Sequence, residues 1–169
     1  MAERRGAEFA GRSHTDRSQS GRKIITANRK ARHEYEILET FDAGLMLTGT
    51  EIKSVRAGKV NLSDAFARPE NGEMWLLNMH IAPYEQGNRF NVESRRTRKI
   101  LLHKAEIQRI TGRVNEKGLT IVPLSIFLQN GFAKVELGIG RGKKIYDKRQ
   151  DIADRDRNRD MRRELVGRE

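Results

Sequence analysis

The sequence predicts a mainly β fold with short helices, arranged as a small closed antiparallel barrel with basic tails at both ends. Its clearest sign is a hairpin, in which Leu119 to Leu128 and Phe132 to Ile139 flank Gln129-Asn130-Gly131, and apolar and polar residues alternate along the second run. A second hairpin is predicted earlier in the chain. Both chain ends are polar and rich in Lys and Arg. Several short antiparallel strands with glycine turns favour a barrel, because closure removes exposed sheet edges.

The folded part begins with a strand and a short helix. Alternating apolar and polar residues over 35–41 predict the strand, and Ala43-Gly44 offers a turn after it. Thr48-Gly49-Thr50-Glu51 has the T-x-x-E pattern of a capping box. It predicts a helix over about residues 50–57, with Gly58 as the left-handed residue that ends it.

The remaining elements are the second hairpin and a second helix. Leu62 to Arg68 and Glu73 to Met79 flank Pro69-Glu70-Asn71-Gly72, which predicts the hairpin. Residues 103–111 carry apolar residues at helical spacing and stop at Gly112, which predicts the helix. The whole domain is expected to hold about six strands and two or three short helices.

Composition divides the chain into three segments. Residues 1–23 contain almost no large apolar side chain and are expected to be a disordered extension. Residues 24–140 form the predicted β domain. Residues 141–169 form a basic tail whose thin apolar stripe cannot hold a helix on a core, so it is expected to be frayed when free and helical when docked. A solvated tail without a role is the alternative.

Composition also excludes several function classes. Cysteine is absent, which excludes disulfides, thiolate zinc sites and cysteine nucleophiles. No window approaches roughly 18 consecutive apolar residues, which excludes a transmembrane helix. None of the four histidines lies in a metal-binding motif, and the glycine-rich run at 138–142 lacks the Lys-Ser/Thr of a phosphate loop. No catalytic, metal or cofactor site is therefore predicted.

Basic clusters are the positive signal. The net charge is +11, and cations are concentrated at residues 28–33, 53–59, 95–99 and 141–144. Lys and Arg at this density neutralise phosphates and release counterions, so a nucleic acid is the predicted partner. A solvated surface remains the alternative for any one cluster, and charge alone does not distinguish RNA from DNA.

Longer motifs resemble the small protein B family, the transfer-messenger-RNA-binding proteins of bacteria. The run from Gly49 to Asp64, GTEIKSVRAGKVNLSD, resembles the family signature G-x-E-[VI]-K-S-[LV]-R-x-G-K-x-N-[LI]-x-D. Four further segments match in the same order: NRKARHEY at 28–35, NMHIAPY at 78–84, RTRKILLHK at 96–104 and GKKIYDKR at 142–149. The resemblance covers about residues 24–165.

The resemblance implies a barrel of the oligonucleotide-binding type with a distinct role in translation. Such a protein binds the tRNA-like domain of transfer-messenger RNA, supports its charging by alanyl-tRNA synthetase, and delivers it with elongation factor Tu to stalled ribosomes. Its tail would occupy the empty mRNA channel near the decoding centre of the small-subunit rRNA. It would not be an enzyme, would need no cofactor or metal, and would act as a cytoplasmic monomer that binds neither DNA nor membranes.

Matching positions supply the candidate site residues. The RNA-binding set is Asn28, Arg29, His33, Asp42, Lys53, Arg56, Gly58, Lys59, Arg96, Arg98, Lys99, Leu101 and His103. The ribosome-binding tail set is Gly142, Lys143, Lys144, Tyr146, Asp147, Lys148 and Arg149. Asp42 stands where many members carry Glu. Ser94 stands where many carry Pro, so the turn before Arg96 is expected to be less rigid.

Two other function classes stay open at this point. A constitutive basic ribosomal protein with a similar barrel would share the charge and the tail. A small RNA-processing enzyme is the third hypothesis, and no motif in the sequence supports it.

Overall fold

The computed structural model describes residues 21–115 and 118–166. The predicted extension at 1–23 lies outside the described residues except for its last three positions. The strands in the described part are β1 Lys23–Ala27, β2 Tyr35–Leu45, β3 Val60–Asn61, β4 Phe66–Glu70, β5 Glu73–Leu77, β6 His80–Ile81, β7 Arg98–Leu101, β8 Leu119–Gln129 and β9 Phe132–Gly142. The helices are α1 Arg29–Glu34, α2 Gly49–Arg56, α3 Lys104–Val114 and α4 Ile145–Val166, with a 3-10 turn at Asn88–Phe90.

Both predicted hairpins are confirmed. β4 and β5 are joined at Asn71-Gly72, and β8 and β9 at Asn130-Gly131. All four turn residues have positive φ, between 51° and 81°. Two successive residues at positive φ form the tight turn whose twist matches that of paired strands, and Asn-Gly is its preferred sequence.

The strands pair antiparallel in the order β1-β8-β4-β5-β7-β2-β9, and β8 also pairs with β9. Strands β4, β5, β7, β2 and β9 therefore each have two partners, and β8 has three, β1, β4 and β9. The pairing of β4 with β8 is short, with Ala67 in register with Ile121. The architecture is mainly β with short helices, and β3 and β6 form a separate two-stranded sheet.

The core lies inside these strands and under α2 and α3. Met74 and Leu76 of β5, Ile121 of β8, Leu137 of β9 and Val55 of α2 are all fully buried. Their burial removes apolar surface from water, which is the main stabilising term for a domain of this size.

Helix α2 begins as its sequence predicts. The Thr48 side chain accepts a hydrogen bond from the backbone N–H of Glu51, and the Glu51 carboxylate accepts one from the backbone N–H of Thr48, which confirms the capping box. Gly58 follows the helix at φ +74°, the left-handed conformation predicted for it. Helix α3 runs through Gly112 to Val114, three residues beyond its predicted end at residue 111.

The predicted turn at Ala43-Gly44 is wrong. Strand β2 continues through both residues to Leu45, because Gly44 pairs with Lys134 of β9 on one side and Leu101 of β7 on the other. A Cβ atom on Gly44 would lie 3.2 Å from the Cβ of Leu101, so the glycine allows a close approach here and makes no turn. Strand β1 and helix α1 were also not predicted.

The tail is helical over α4 in the structure, and fraying of the free tail remains a prediction. Three contacts between oppositely charged or polar groups lie at the start of α4 or within it. Lys143 forms an ion pair with Asp151, Arg157 lies 3.5 Å from Asp154, and the backbone N–H of Lys148 bonds to the carbonyl of Lys144. Such local pairs stabilise a helix without an apolar stripe. No helix in the described residues is long and apolar enough to span a membrane.

Candidate nucleic-acid interface

Alternate residues of β2 and β9 point away from the core and form one polar strip. Asp42 of β2 is in register with Glu136 of β9, and Gly44 is in register with Lys134. The residues between them on both strands are buried, so these four share the outer face. Of the four, the sequence had pointed only to Asp42.

Two carboxylates therefore lie opposite each other on this strip, and Arg22 joins them. Its guanidinium lies 3.2 Å from an Asp42 oxygen and 3.5 Å from a Glu136 oxygen, and it stacks 3.7 Å from the ring centroid of Phe127. Ser125 donates a hydrogen bond of 2.8 Å to Glu136. Burial nevertheless raises the pKa of Asp42 above its ordinary value, although the charge of Arg22 opposes this.

An open groove of about 370 Å³ lies beside the strip, between β2, α2 and the turn that joins β8 to β9. Leu101 and Phe132 border it and are 50% and 72% exposed, and Lys134 supplies a cation. Arg56 is next to it, donating a hydrogen bond of 3.3 Å to the carbonyl of Gly131. Exposed apolar side chains beside cations suit a nucleobase and its phosphate together.

A buried carboxylate organises two of the predicted RNA-binding arginines. Glu51 is 4% exposed and accepts from Nε of Arg96 and Nε of Arg98, each at 2.9 Å. Burial alone would raise the pKa of Glu51, but the hydrogen bonds from Arg96 and from the Thr48 backbone, together with the charge of Arg98, hold it below its ordinary value. The carboxylate is therefore ionised and fixes both guanidinium groups.

Arg98 itself lies in the interior. Its side chain is fully buried, and its other N–H groups donate to the carbonyls of Met79, Arg96 and Ser94. It therefore fixes the turn before β7, including Ser94, and presents no N–H to a phosphate. Arg96 is 29% exposed at its side chain and stays reachable from solvent.

Asn28 is likewise an internal residue. Its side-chain amide donates to the carbonyls of Leu62 at 2.9 Å and Pro123 at 3.0 Å, and its carbonyl oxygen caps α1 through the N–H of Ala31. It is 4% exposed. Three hydrogen bonds satisfy a buried amide, so Asn28 joins α1 to β8 and to the segment after β3.

The other predicted cations lie at the surface, and several hold acidic partners. Lys59 is 2.7 Å from Glu85, and Lys99 forms an ion pair with Glu73. Lys53 lies 5.1 Å from the ring centroid of Tyr84. Exposed pairs of this kind contribute only about 0–1 kcal/mol, so phosphate can replace the carboxylates.

Three predicted residues sit at helix ends or on α1. The backbone N–H of His103 donates to the Glu106 carboxylate at the start of α3, so His103 begins that helix. Arg29 and His33 belong to α1, away from the groove beside β2, and border a second cavity of about 500 Å³ between α1 and α4.

That second cavity connects α1 to the tail. Asp151 and Arg155 line it from α4, and the backbone N–H of Lys143 donates to the carbonyl of Glu34 at 2.8 Å. The hydrogen bond and ion pair of Lys143 hold the pKa of Asp151 below its ordinary value. In the tail set, Gly142 ends β9, Lys143 and Lys144 lead into α4, and Tyr146, Asp147, Lys148 and Arg149 lie in its first turns.

Four residues of this surface were not predicted as site residues from the sequence: Arg22, Phe132, Lys134 and Glu136. The alternation of β9 placed Lys134 and Glu136 on a solvent face but gave no sign that Asp42 lies opposite. Arg22 belongs to the segment expected to be disordered. No local signal connected it to residues 20 or more positions away.

Comparison with known proteins agrees with the motifs. The family model described as SmpB protein matches residues 25–167. The chain belongs to the SmpB family. Two curated relatives, both called SsrA-binding protein, come from Pelotomaculum thermopropionicum and Carboxydothermus hydrogenoformans; they are 60% and 59% identical over 85% and 86% of this chain, and the matches cover 94% and 98% of those proteins.

A solved structure agrees at the level of the fold. A chain in "tmRNA-SmpB: a journey to the center of the bacterial ribosome" is 58% identical and superposes with a TM-score of 0.62. The match covers 71% of this chain and 85% of that one. The resemblance inferred from the motifs is thereby confirmed for this SmpB family member.

Proposed function

We propose that this protein is an RNA-binding adaptor for the rescue of stalled ribosomes. It binds the tRNA-like domain of transfer-messenger RNA, supports its alanylation by alanyl-tRNA synthetase, and accompanies it with elongation factor Tu to the ribosome. The observation that carries the proposal is the outer face of β2 and β9, where Asp42 lies on the polar strip and Lys134 lines the adjoining groove with the exposed apolar side chains of Leu101 and Phe132.

The fold proposed for this role is a closed barrel of the oligonucleotide-binding type. Its support is the ring of pairings from β8 through β4, β5, β7, β2 and β9 and back to β8. A ring of paired strands is rigid, and loops and outer faces of such barrels bind oligonucleotides.

RNA contact divides among the predicted residues according to their exposure. Lys53, Arg56, Lys59 and Lys99 offer cations to RNA directly, and Arg29 does so where it reaches solvent. Leu101 offers an apolar side chain, Asp42 offers hydrogen-bond acceptors and His33 offers an imidazole ring. Buried Asn28 and Arg98 act through the loops they hold, as positioning residues. Gly58 ends α2, and His103 begins α3, so both act by shaping the backbone beside these cations.

The tail has a separate role in the proposal. Residues 143–149 supply five charged side chains just before and within the first turns of α4, a helix that carries almost no apolar stripe. This pattern suits a polyanionic surface, and we assign the tail to the empty mRNA channel near the decoding centre. The protein performs no catalysis itself, acts as a monomer in the cytoplasm, and leaves the chemistry to the synthetase and the ribosome.

Competition binding tests the RNA partner. The tRNA-like domain of transfer-messenger RNA is titrated against elongator alanine tRNA in a salt series. A preference for the tRNA-like domain that survives about 0.2 M salt indicates shape or base readout and supports the adaptor. Equal affinities that both fall steeply with salt contradict it and favour a constitutive basic ribosomal protein, as does stoichiometric retention on ribosomes washed in high salt.

A tail variant tests the second role. Replacing Asp147, Lys148 and Arg149 together by Ala is expected to leave binding of the tRNA-like domain unchanged while abolishing peptide tagging on stalled ribosomes. Normal tagging by this variant would contradict the role assigned to the tail. Replacing Asp156, Arg157 and Arg159 by Ala, further along α4, removes the same net charge of +1 and is the matched control.

A further inference from the structure

The loop over residues 84–91 is held in one shape by a side chain. The Asn91 amide accepts from the Tyr84 backbone N–H at 3.0 Å and donates to the Tyr84 carbonyl at 2.9 Å. Gly87 is buried beneath it, and a Cβ there would come within 2.7 Å of the Asn91 side-chain oxygen. Asn88 adopts φ +43°. The loop is therefore closed by a two-way amide clamp and has little freedom to rearrange.

This rigid loop exposes an aromatic ring beside a cation. Phe90 is 69% exposed, and the Arg89 guanidinium lies 5.1 Å from its ring centroid. At the start of the same loop, Tyr84 has Lys53 of α2 at 5.1 Å from its ring centroid. Two aromatic rings, each accompanied by a cation, thus lie on one short segment and the helix beside it.

The platform formed by Tyr84, Arg89 and Phe90 lies across α2 from the groove at β2. Ile52 lines that groove. On another side of the same helix, the Thr50 hydroxyl donates to the Phe90 carbonyl at 3.3 Å. At about 100° per residue, Thr50 and Ile52 point in directions about 160° apart, so α2 forms a ridge between two surfaces.

Charge around the platform favours a polyanion. Lys53, Arg89 and Arg95 make no ion pair with any residue that the structure describes, whereas Glu85 is paired with Lys59. Glu93 is the other acid near the loop. Cations left without a carboxylate beside an exposed ring are the combination that binds a nucleobase by stacking and its backbone by charge.

We propose that this platform is an additional RNA-contact site, at which Phe90 stacks on an unpaired nucleobase while Lys53, Arg89 and Arg95 contact its phosphates. The site deepens the RNA-binding function proposed above and rests on it. It extends the bound RNA from the groove over the ridge of α2 to the far side. A protein surface would be the competing partner for an exposed Phe, but three cations without acidic partners in the described part of the chain favour RNA.

A tryptophan reporter tests the contact directly. Phe90→Trp is made in a Trp75→Phe background, so that the reporter is the single tryptophan of the full-length chain. The probes are the tRNA-like domain of transfer-messenger RNA and a single-stranded RNA 12-mer. Stacking on a base is expected to quench the fluorescence of this variant by half or more at saturation. Met161→Trp in the same background, at a 55% exposed position on α4, is the matched control and is expected to change little with the tRNA-like domain.

Affinity supplies the second readout. Phe90→Leu is expected to weaken binding of the quenching RNA about fivefold or more, because base–aromatic stacking contributes on the order of 1 kcal/mol or more per base. The slope of log affinity against log salt concentration reports how many phosphates the protein neutralises. The double variant Arg89→Gln with Arg95→Gln is expected to reduce this slope by an amount equal to about two phosphate contacts, whereas Lys104→Gln with Lys23→Gln is expected to leave the slope unchanged. An unchanged melting temperature shows that each variant is folded.

The outcomes separate this proposal from the function on which it rests. Absence of quenching with both RNAs, or full affinity of Phe90→Leu, overturns the platform even when the wild type prefers the tRNA-like domain. Equal binding of the tRNA-like domain and alanine tRNA overturns the adaptor function, while quenching of the Phe90→Trp reporter by the 12-mer still establishes the platform as an RNA contact.

Discussion

Glu51→Gln is the perturbation whose effect the structure predicts most sharply. The substitution keeps the size of the side chain but removes the charge shared by Arg96 and Arg98, which lie 2.5 Å and 2.8 Å from its oxygens. Arg98 is fully buried and cannot recover water. Removing one partner of a buried ion pair costs about 3–5 kcal/mol, because the remaining charge is left uncompensated. Arg96 adds less, since it is partly exposed and screened by solvent.

Urea unfolding and thermal melting at pH 7 measure this loss. For a chain of this size each kcal/mol corresponds to about 2–4 °C, so the melting temperature should fall by roughly 6–20 °C. Glu73→Gln is the matched control, because its pair with Lys99 is exposed and its loss should cost under about 1 kcal/mol. A Glu51→Gln variant within about 1 kcal/mol of the wild type would refute the reasoning.

The same carboxylate predicts a pH dependence. The pKa of Glu51 is lowered in the folded protein from 4.5, so the unfolded chain binds its proton first as pH falls. Its contribution is therefore complete above pH 4.5 and is lost as pH drops through the lower folded pKa. As pH falls through that range, the free energy of unfolding should decrease more steeply for the wild type than for Glu51→Gln. Parallel plots of unfolding free energy against pH for the two proteins would contradict this role of the Glu51 carboxylate.

Three further substitutions separate structural from binding roles. Asp42→Asn should leave the urea midpoint at pH 7 unchanged or raised, because a raised pKa means that the fold disfavours the ionised form, yet it should weaken binding of the tRNA-like domain; a large loss of stability would contradict this. Asn28→Ala should lower the free energy of unfolding by roughly 2–4 kcal/mol, since it removes a cap and leaves buried carbonyls unpaired, and unchanged thermal stability would refute the role. Gly131→Ala should lower the free energy of unfolding by about 1–2 kcal/mol, because Gly131 has φ +81° and an added Cβ would meet no neighbouring atom that could add to this backbone cost. Gly112→Ala within α3 should instead stabilise the protein. Equal shifts of the melting temperature in calorimetry would contradict the backbone argument.

Local signals explain which elements were predictable. The Asn-Gly turns and the Thr48–Glu51 capping box act over a few residues, so the hairpins and α2 follow from short windows of sequence. The pairing of β2 with β9 joins residues far apart in the chain, with Tyr35 opposite Gly142. No short window contains that information, and Ala43-Gly44 therefore resembled a turn although it lies within a strand.

Site prediction met the same limit. The R-x-R-K run looks like a single exposed cation cluster, yet strand alternation and Glu51 place Arg98 in the interior while Lys99 remains near the surface. Motif matching pointed to Asp42, which lies on the outer strip. It could not select Lys134, because the residue in register with Lys134 on β2 is Gly44, which the sequence assigned to a turn. Exposure, which decides between direct and indirect roles, depends on packing that only the folded chain defines.

The late position of β9 in the chain affects how the protein is made. Strand β2 is synthesised early, but its long partner β9 is completed only at Gly142, about 100 residues later in the chain. Until then β2 and β8 both lack β9, and their unpaired backbone is open to wrong partners in the nascent chain. Pairing over such a distance is slow, and the sheet can be completed only after β9 has been synthesised. A chain whose synthesis stops before residue 132 lacks β9, so the edges of β2 and β8 stay open to pairing with other chains.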